Sequence, residues 1–190
     1  MKVLLSIIIS CTAMLSVGAQ ANLSMAVIPS NKTVEQQCVE LTLTNNAIPL
    51  RLSSQNYRLY YSADNLSLDE ASLVSKLPND LYQLKLVQHV GGIDASGRGD
   101  LDFENNLGFI NFSIVHTNIK VQGAELSSDN TSIVDMCFDV QDFDQDISIV
   151  LAREEVTSTY GRAYIELSTQ DEKNTLASTS ISEYKDLFIK

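Results

Sequence analysis

The chain has 190 residues, of which 24 are acidic and 13 basic, so its net charge is −11 at pH 7. A surface this acidic repels nucleic acid and anionic membranes, and it is compatible with calcium, basic partners or neutral polysaccharide. With only two histidines and no Cys-x-x-Cys pair, the chain also lacks the pattern of a zinc site. The length suits one domain with a sizeable hydrophobic core.

The first 21 residues have the pattern of a secretory signal peptide. Lys2 gives a positive start, an apolar run extends from Val3 to about Val17, and an Ala-Gln-Ala sequence ends at Ala21. The run is shorter than the roughly 20 residues that span a bilayer. Cleavage after Ala21 and export are therefore predicted, with no membrane insertion afterwards. The alternatives are an uncleaved anchor and lipidation at Cys11.

Two cysteines, Cys38 and Cys137, remain after the signal. An even number of cysteines in an exported chain suggests that they pair. The two positions are 99 residues apart, so a bridge would close most of the domain. The chain-entropy model assigns a loop of this length about 4–5 kcal/mol at most.

The rest of the chain alternates apolar and polar residues in short segments separated by Asn, Asp, Ser and Gly, which is typical of strands and turns. In chain order the predicted strands are Met25–Ile28, Gln37–Thr44, Asn56–Tyr61, Leu81–Val90, Leu107–Val115, Ile133–Val140, Ile147–Ala152 and Arg162–Leu167. At most one short helix is predicted, over Asp69–Leu77. The pattern favours an all-β sandwich of jelly-roll or immunoglobulin-like type, with about nine strands in two sheets.

Side-chain alternation places both cysteines on the polar face of their strands. Cys38 shares its face with Glu40, and Cys137 shares its face with Asp135 and Asp139. A bridge across the core, as in antibody domains, requires inward-facing cysteines. If these two pair, we therefore expect the bridge to link neighbouring strands of one sheet on its outer face.

The domain is expected to extend over residues 22–169. Residues 170–190 mix polar side chains with Tyr184, Leu187, Phe188 and Ile189, and they are too few for a second domain. They are predicted to form either a tail or a segment that closes the sandwich.

Taken in order, these segments resemble a cohesin domain and the related jelly-roll modules of secreted bacterial proteins, which include carbohydrate-binding modules. The resemblance rests on residues 38–43, on the alternating strand and turn of residues 56–66, on residues 107–114, and on residues 133–140 with their Phe-x-Val ending. It covers about residues 24–168. Ser62 departs from the pattern, because the family usually has Asp after the Tyr.

The resemblance implies a nine-stranded sandwich in which the second and seventh strands, which hold Cys38 and Cys137 here, are neighbours. It also implies recognition rather than catalysis, because family members bind calcium-loaded dockerin modules through the outer face of one sheet. Carried over to this chain, that face would include Arg58 and Tyr60, with Asn111 or Ile110 beside them. The predicted function is a secreted or surface-exposed module that binds a dockerin-like protein partner in a scaffold or adhesion role.

Two acidic loops are candidates for calcium, the one cofactor that the sequence suggests. The first has Asp94, Asp100 and Asp102 around a central Gly, but Arg98 stands at a ligand position and the expected final Glu is missing. The second contains Asp142 and Asp144. For both, the alternative is an ordinary polar loop between strands.

Two other functions remain open from the sequence. Carbohydrate binding normally needs an exposed aromatic platform, and in a chain without Trp the candidates are Tyr60, Tyr82 and Tyr160, since Tyr57 and Tyr61 alternate toward the core. The chain could also be a structural subunit of a surface layer or filament, joined through strand edges. No nucleophile elbow or triad spacing is present, so no enzyme activity is predicted.

Overall fold

The computed structural model describes residues 23–45, 50–94, 106–118, 120–126, 128–153, 157–158, 161–162, 166–170, 176–179 and 181–190. The strands in chain order are β1 (Leu23–Lys32), β2 (Gln36–Asn45), β3 (Leu50–Ser62), β4 (Leu66–Ser75), β5 (Tyr82–Asp94), β6 (Asn106–His116), β7 (Glu125–Leu126), β8 (Thr131–Val140), β9 (Ile147–Leu151), β10 (Thr157–Ser158), β11 (Gly161–Arg162), β12 (Glu166–Gln170), β13 (Leu176–Thr179), β14 (Ile181–Lys185) and β15 (Leu187–Ile189).

These strands form two main sheets, which confirms the predicted all-β sandwich. The first sheet has the order β14-β1-β2-β8-β4, in which β14 runs parallel to β1 and the other neighbours are antiparallel. The second sheet has the order β13-β12-β3-β6-β5, and β7 and β9 also pair with β3. A separate hairpin is formed by β10 and β11.

Among the described residues, one hydrophobic cluster fills the space between the sheets. The first sheet contributes inward side chains such as Val39, Leu41 and Phe138, and the second contributes Tyr57 and Phe112. Along β1 the burial alternates from Leu23 to Ile28, as expected for a strand with one covered face. This alternation decides which residues of each strand are left for the outer faces.

The short helix predicted over residues 69–77 is wrong. Leu66 and Leu68 alternate inward on β4, and the pairing of β4 with β8 is interrupted between Asp69 and Val74. The intervening residues bulge out of the strand, and the Ser72 hydroxyl accepts the Cys137 N–H at 2.7 Å in place of a backbone carbonyl. The described residues contain no helix, and thus none that could cross a membrane.

The last described strands of the chain pair with strands of both sheets. β14 pairs with β1 in the first sheet, whereas β13 and β15 pair with β12 and β9 at the margin of the second. The role of residues 170–190 as a tail or a closing segment stays a prediction. Of the strand predicted over Arg162–Leu167, Arg162 lies in β11 and Glu166 and Leu167 lie in β12, whereas residues 163–165 lie outside the described residues.

Candidate functional site

The outer face of the second sheet presents polar side chains in cross-strand rows. Lys85 on β5 pairs with Ser113 on β6, and Ser113 pairs with Asn56 on β3. The Ser113 hydroxyl donates to Asn56 Oδ1 at 2.6 Å. Because paired residues of adjacent strands lie on the same side of a sheet, these side chains form one surface. We call it the open face, and it consists of Asn56, Gln83, Lys85, Val87, Gln88, Ser113 and Val115.

Two exposed valines give the open face an apolar component. Val115 is 45% exposed and pairs with Gln83, while Val87 is 58% exposed. Val87 is the extra residue of a β-bulge, since the register with β6 shifts between Leu86 and Gln88. A bulge changes the direction of nearby side chains and interrupts the regular backbone hydrogen bonding of the strand. On an edge strand such as β5, this interruption hinders pairing with a strand of another molecule.

The two outer faces of the sandwich differ in charge. The residues of the open face include an exposed Lys85 and no acidic residue, and Glu166 of β12 pairs in register with Asn56 at its margin. The outer face of the first sheet, in contrast, carries Glu40, Asp69, Asp135 and Asp139 on β2, β4 and β8.

Glu40 and Asp135 are directly paired there, and like charges in that position repel each other. Lys76 Nζ lies 2.5 Å from Asp135 Oδ2, and this bond raises the pKa of Lys76. One cation therefore offsets part of the repulsion on an otherwise acidic face.

Arg58, Tyr60 and Asn111 point away from the core as predicted, but the expectation that Arg58 and Tyr60 are exposed is wrong. Their side chains are 6% and 1% exposed. Arg58 Nε donates to Asn111 Oδ1 at 2.5 Å, and its guanidinium lies 4.9 Å from the centre of the Phe109 ring. These side chains pack against one another beside the open face. Ile110, the alternative to Asn111, is buried in the core.

The tyrosines proposed as an aromatic platform are also buried. Tyr82 lies in the core cluster, where its hydroxyl donates to Leu52 O and accepts the Ala124 N–H. Tyr60 is covered as described above, and Tyr160 lies outside the described residues. No exposed aromatic side chain belongs to the open face as the structure describes it.

In the acidic turn between β8 and β9, the backbone N–H groups donate to nearby side-chain oxygens. Asp142 Oδ1 accepts the Asp144 N–H at 2.9 Å, and Asp142 N donates to Asn65 Oδ1. Within the described ranges, no three acidic, His or Cys side chains converge as metal ligands would. Asp100, Asp102 and the side chain of Asp94 lie outside the described residues. Calcium binding at either loop stays a prediction.

Cys38 and Cys137 form the predicted disulfide. They are directly opposite on β2 and β8, and their Cα atoms are 3.9 Å apart. The backbone of Cys137 is turned toward Ser72 on β4, so the two cysteines form a non-hydrogen-bonded pair, in which side chains lie closest. Neither cysteine belongs to the core cluster. The outer-face position inferred from alternation is therefore confirmed.

A hydrogen-bonded chain that the sequence did not reveal connects the two sheets. His89 Nδ1 on β5 lies 2.6 Å from Glu70 Oε1 in the β4 bulge, and His89 Nε2 lies 2.8 Å from the Tyr61 hydroxyl on β3. Because a carboxylate can only accept, a neutral ring must carry its proton on Nδ1 and accept from Tyr61. Burial and the charge of Glu70 raise the pKa of Tyr61 to about 12.

The fold is that of cohesin modules. A type I cohesin of ScaB from Pseudobacteroides cellulosolvens superposes with a TM-score of 0.57 at 11% identity, covering 88% of this chain and 90% of that chain. A type I cohesin–dockerin complex from Clostridium thermocellum gives 0.51 at 10% identity, covering 88% and 96%. No family model and no curated protein sequence matches the chain. At these identities the similarity establishes a cohesin-like fold.

Proposed function

We propose that this protein is a secreted or surface-exposed recognition module that binds a protein partner through the open face. The observation that carries the proposal is the cohesin-like fold, because a structural neighbour from Clostridium thermocellum is a cohesin in complex with a dockerin. The signal-peptide pattern supports export. The partner would be dockerin-like, and the role would be in scaffolding or adhesion.

The open face is the part of the outer surface that suits such a role. It joins polar groups that can hydrogen-bond, an exposed cation and two exposed valines, and binding surfaces combine these elements. The neighbouring Arg58 cluster is already packed and would act as a rigid support for β3 and β6. Binding through side chains that are ordered before association costs less conformational entropy.

A capture experiment tests the proposal. Residues 22–190 would be immobilised, incubated with proteins secreted by the source organism, and cross-linked before mass spectrometry. We expect one enriched protein whose cross-links fall on β5 and β6, and we expect its capture to be lost with Val115→Asp. The matched control is Ala26→Asp, which places the same charge on the outer face of the first sheet.

The result that contradicts the proposal is equally specific. Cross-links confined to the first sheet, or capture that is lost with Ala26→Asp and retained with Val115→Asp, would move recognition away from the open face. Export is checked separately by the mass of the mature N-terminus, which should begin at Asn22.

A further inference from the structure

We infer that the open face recognises a protein surface that carries a carboxylate flanked by small apolar side chains. This inference rests on the proposed function, because it specifies the chemistry of the partner at the same face. Lys85, Val87 and Val115 are exposed on the open face, and the other outer face of the sandwich is acidic.

Lys85 is the cation that a partner can reach. Its side chain is exposed, it pairs in register with Ser113, and it has no ion-pair partner among the described residues. A carboxylate placed above β5 could contact the ammonium and accept from the side-chain amides of Gln83 and Gln88. β5 therefore provides donors of the kind that an anionic group requires.

Arg58 adds positive electrostatic potential to the open face, although its buried side chain is not accessible to a partner. It occupies the next row of the same face, where it is held by Asn111 and Phe109. A buried charge is screened less by solvent than an exposed one, so it contributes to the field over β3 and β6. Arg58 and Lys85 thus share this part of the face, whereas Arg51 on β3 is ion-paired with Glu125, and Glu166 on β12 pairs in register with Asn56 at the margin.

The charge of the rest of the molecule determines where an acidic or a basic partner would bind. A basic partner would be drawn to the outer face of the first sheet, which carries Glu40, Asp69, Asp135 and Asp139. An acidic partner would be repelled there and accommodated at the open face. Such complementarity selects among partners and orients them on approach.

Val87 and Val115 are the apolar positions of the open face, and Lys85 lies between them along β5. They are two of the few large apolar side chains that the described surface exposes, and they lie at opposite ends of the open face on neighbouring strands. Neither is needed to fill the core, which is built from the opposite side of β5 and β6. A partner with small apolar side chains on either side of a carboxylate would cover both valines and bring the carboxylate to Lys85.

The test uses two synthetic amphipathic helices as probes, one with Glu and Leu on its binding face and one with Lys in place of every Glu. Residues 22–190, labelled with ¹⁵N, would be titrated with each helix at low and at physiological ionic strength. We expect shift changes at Gln83, Lys85, Val87 and Val115 with the Glu helix, weakened by salt.

Two variants make the test specific. Lys85→Glu should weaken binding of the Glu helix by about tenfold or more, whereas Lys120→Glu, which places the same change in an exposed loop, should leave it unchanged. The inference is overturned if the Glu helix causes no changes, if the changes lie on the first sheet, or if the Lys helix binds the open face equally well.

This outcome can be separated from a failure of the proposed function. If the captured partner cross-links to β5 and β6 but presents a basic or uncharged surface, the recognition module stands and the acidic partner is wrong. If a sulfated polysaccharide binds the open face and the Glu helix does not, the assignment of a protein partner is itself overturned.

Discussion

The ring of Tyr61 occupies the space that a side chain at Gly108 would need. A Cβ built on Gly108 would overlap Tyr61 Cζ and would lie 2.6 Å from the Tyr61 hydroxyl oxygen. Because Gly108 has no side chain, the Tyr61 hydroxyl can reach His89. His89 in turn contacts Glu70 in the other sheet. One glycine thus makes room for the polar connection between the sheets.

Gly108→Ala should consequently destabilise the protein by about 1–3 kcal/mol, because the Tyr61 ring is buried and has little room to move. Gly91→Ala is the matched control, since nothing lies within 4 Å of a Cβ at that position. Urea unfolding of both variants measures the difference. Equal stabilities would show that the ring can shift at little cost.

Replacing the disulfide by Ser at both Cys38 and Cys137 should lower the free energy of unfolding by about 3–5 kcal/mol. The bridge joins positions 99 residues apart, and it restricts the unfolded chain accordingly. Equilibrium denaturation of the oxidised protein and of the double variant provides the comparison. The reduced wild-type protein should match the variant, and a reduced protein as stable as the oxidised one would contradict the prediction.

Arg58→Ala should destabilise the fold by about 1–3 kcal/mol, because it removes the bond to Asn111 and the contact with Phe109 from a covered cluster. Lys85→Ala, on the exposed part of the same face, should change stability by less than about 0.5 kcal/mol. Thermal unfolding of the two variants distinguishes packing from surface roles. If Arg58→Ala were neutral, the cluster would contribute no net stability.

Stability should decrease in mild acid partly because of His116. Its ring is buried beside Tyr82, and burial lowers its pKa below the ordinary value of 6.5. The unfolded state then binds the proton more readily than the folded state, so stability is lost as the pH falls below 6.5 and through the folded pKa.

His116→Phe should reduce this dependence, since Phe cannot take up the proton and can still stack on Tyr82. Urea midpoints of the variant and the wild type, measured at several pH values on either side of 6.5, provide the check. Parallel curves for the two proteins would show that His116 does not cause the loss.

The local features of this fold could be predicted from the sequence because they depend on alternation. The outer-face position of Cys38 and Cys137 follows from which neighbours are apolar, and the structure agrees. The exposure of Arg58 and Tyr60 could not be predicted in this way. Alternation shows that a side chain points away from the core, but not whether other parts of the chain cover it.

The contact between Glu70 and His89 could not be predicted from the sequence either. It depends on a bulge in β4 that interrupts the pairing with β8, and on the approach of two strands from different sheets. No spacing in the sequence reports such a contact. The false helix over residues 69–77 has the same origin, because the polar residues of the bulge break the period expected of a strand.

The position of the disulfide also has a mechanical consequence. When the folded chain is pulled from its two ends, the force passes from β2 to β8 through the sulfur–sulfur bond and bypasses the residues between Cys38 and Cys137. Those residues include β3, β5 and β6, and therefore the whole open face. Strands outside the bridge would peel away first, and the surface proposed for recognition would keep its shape under tension.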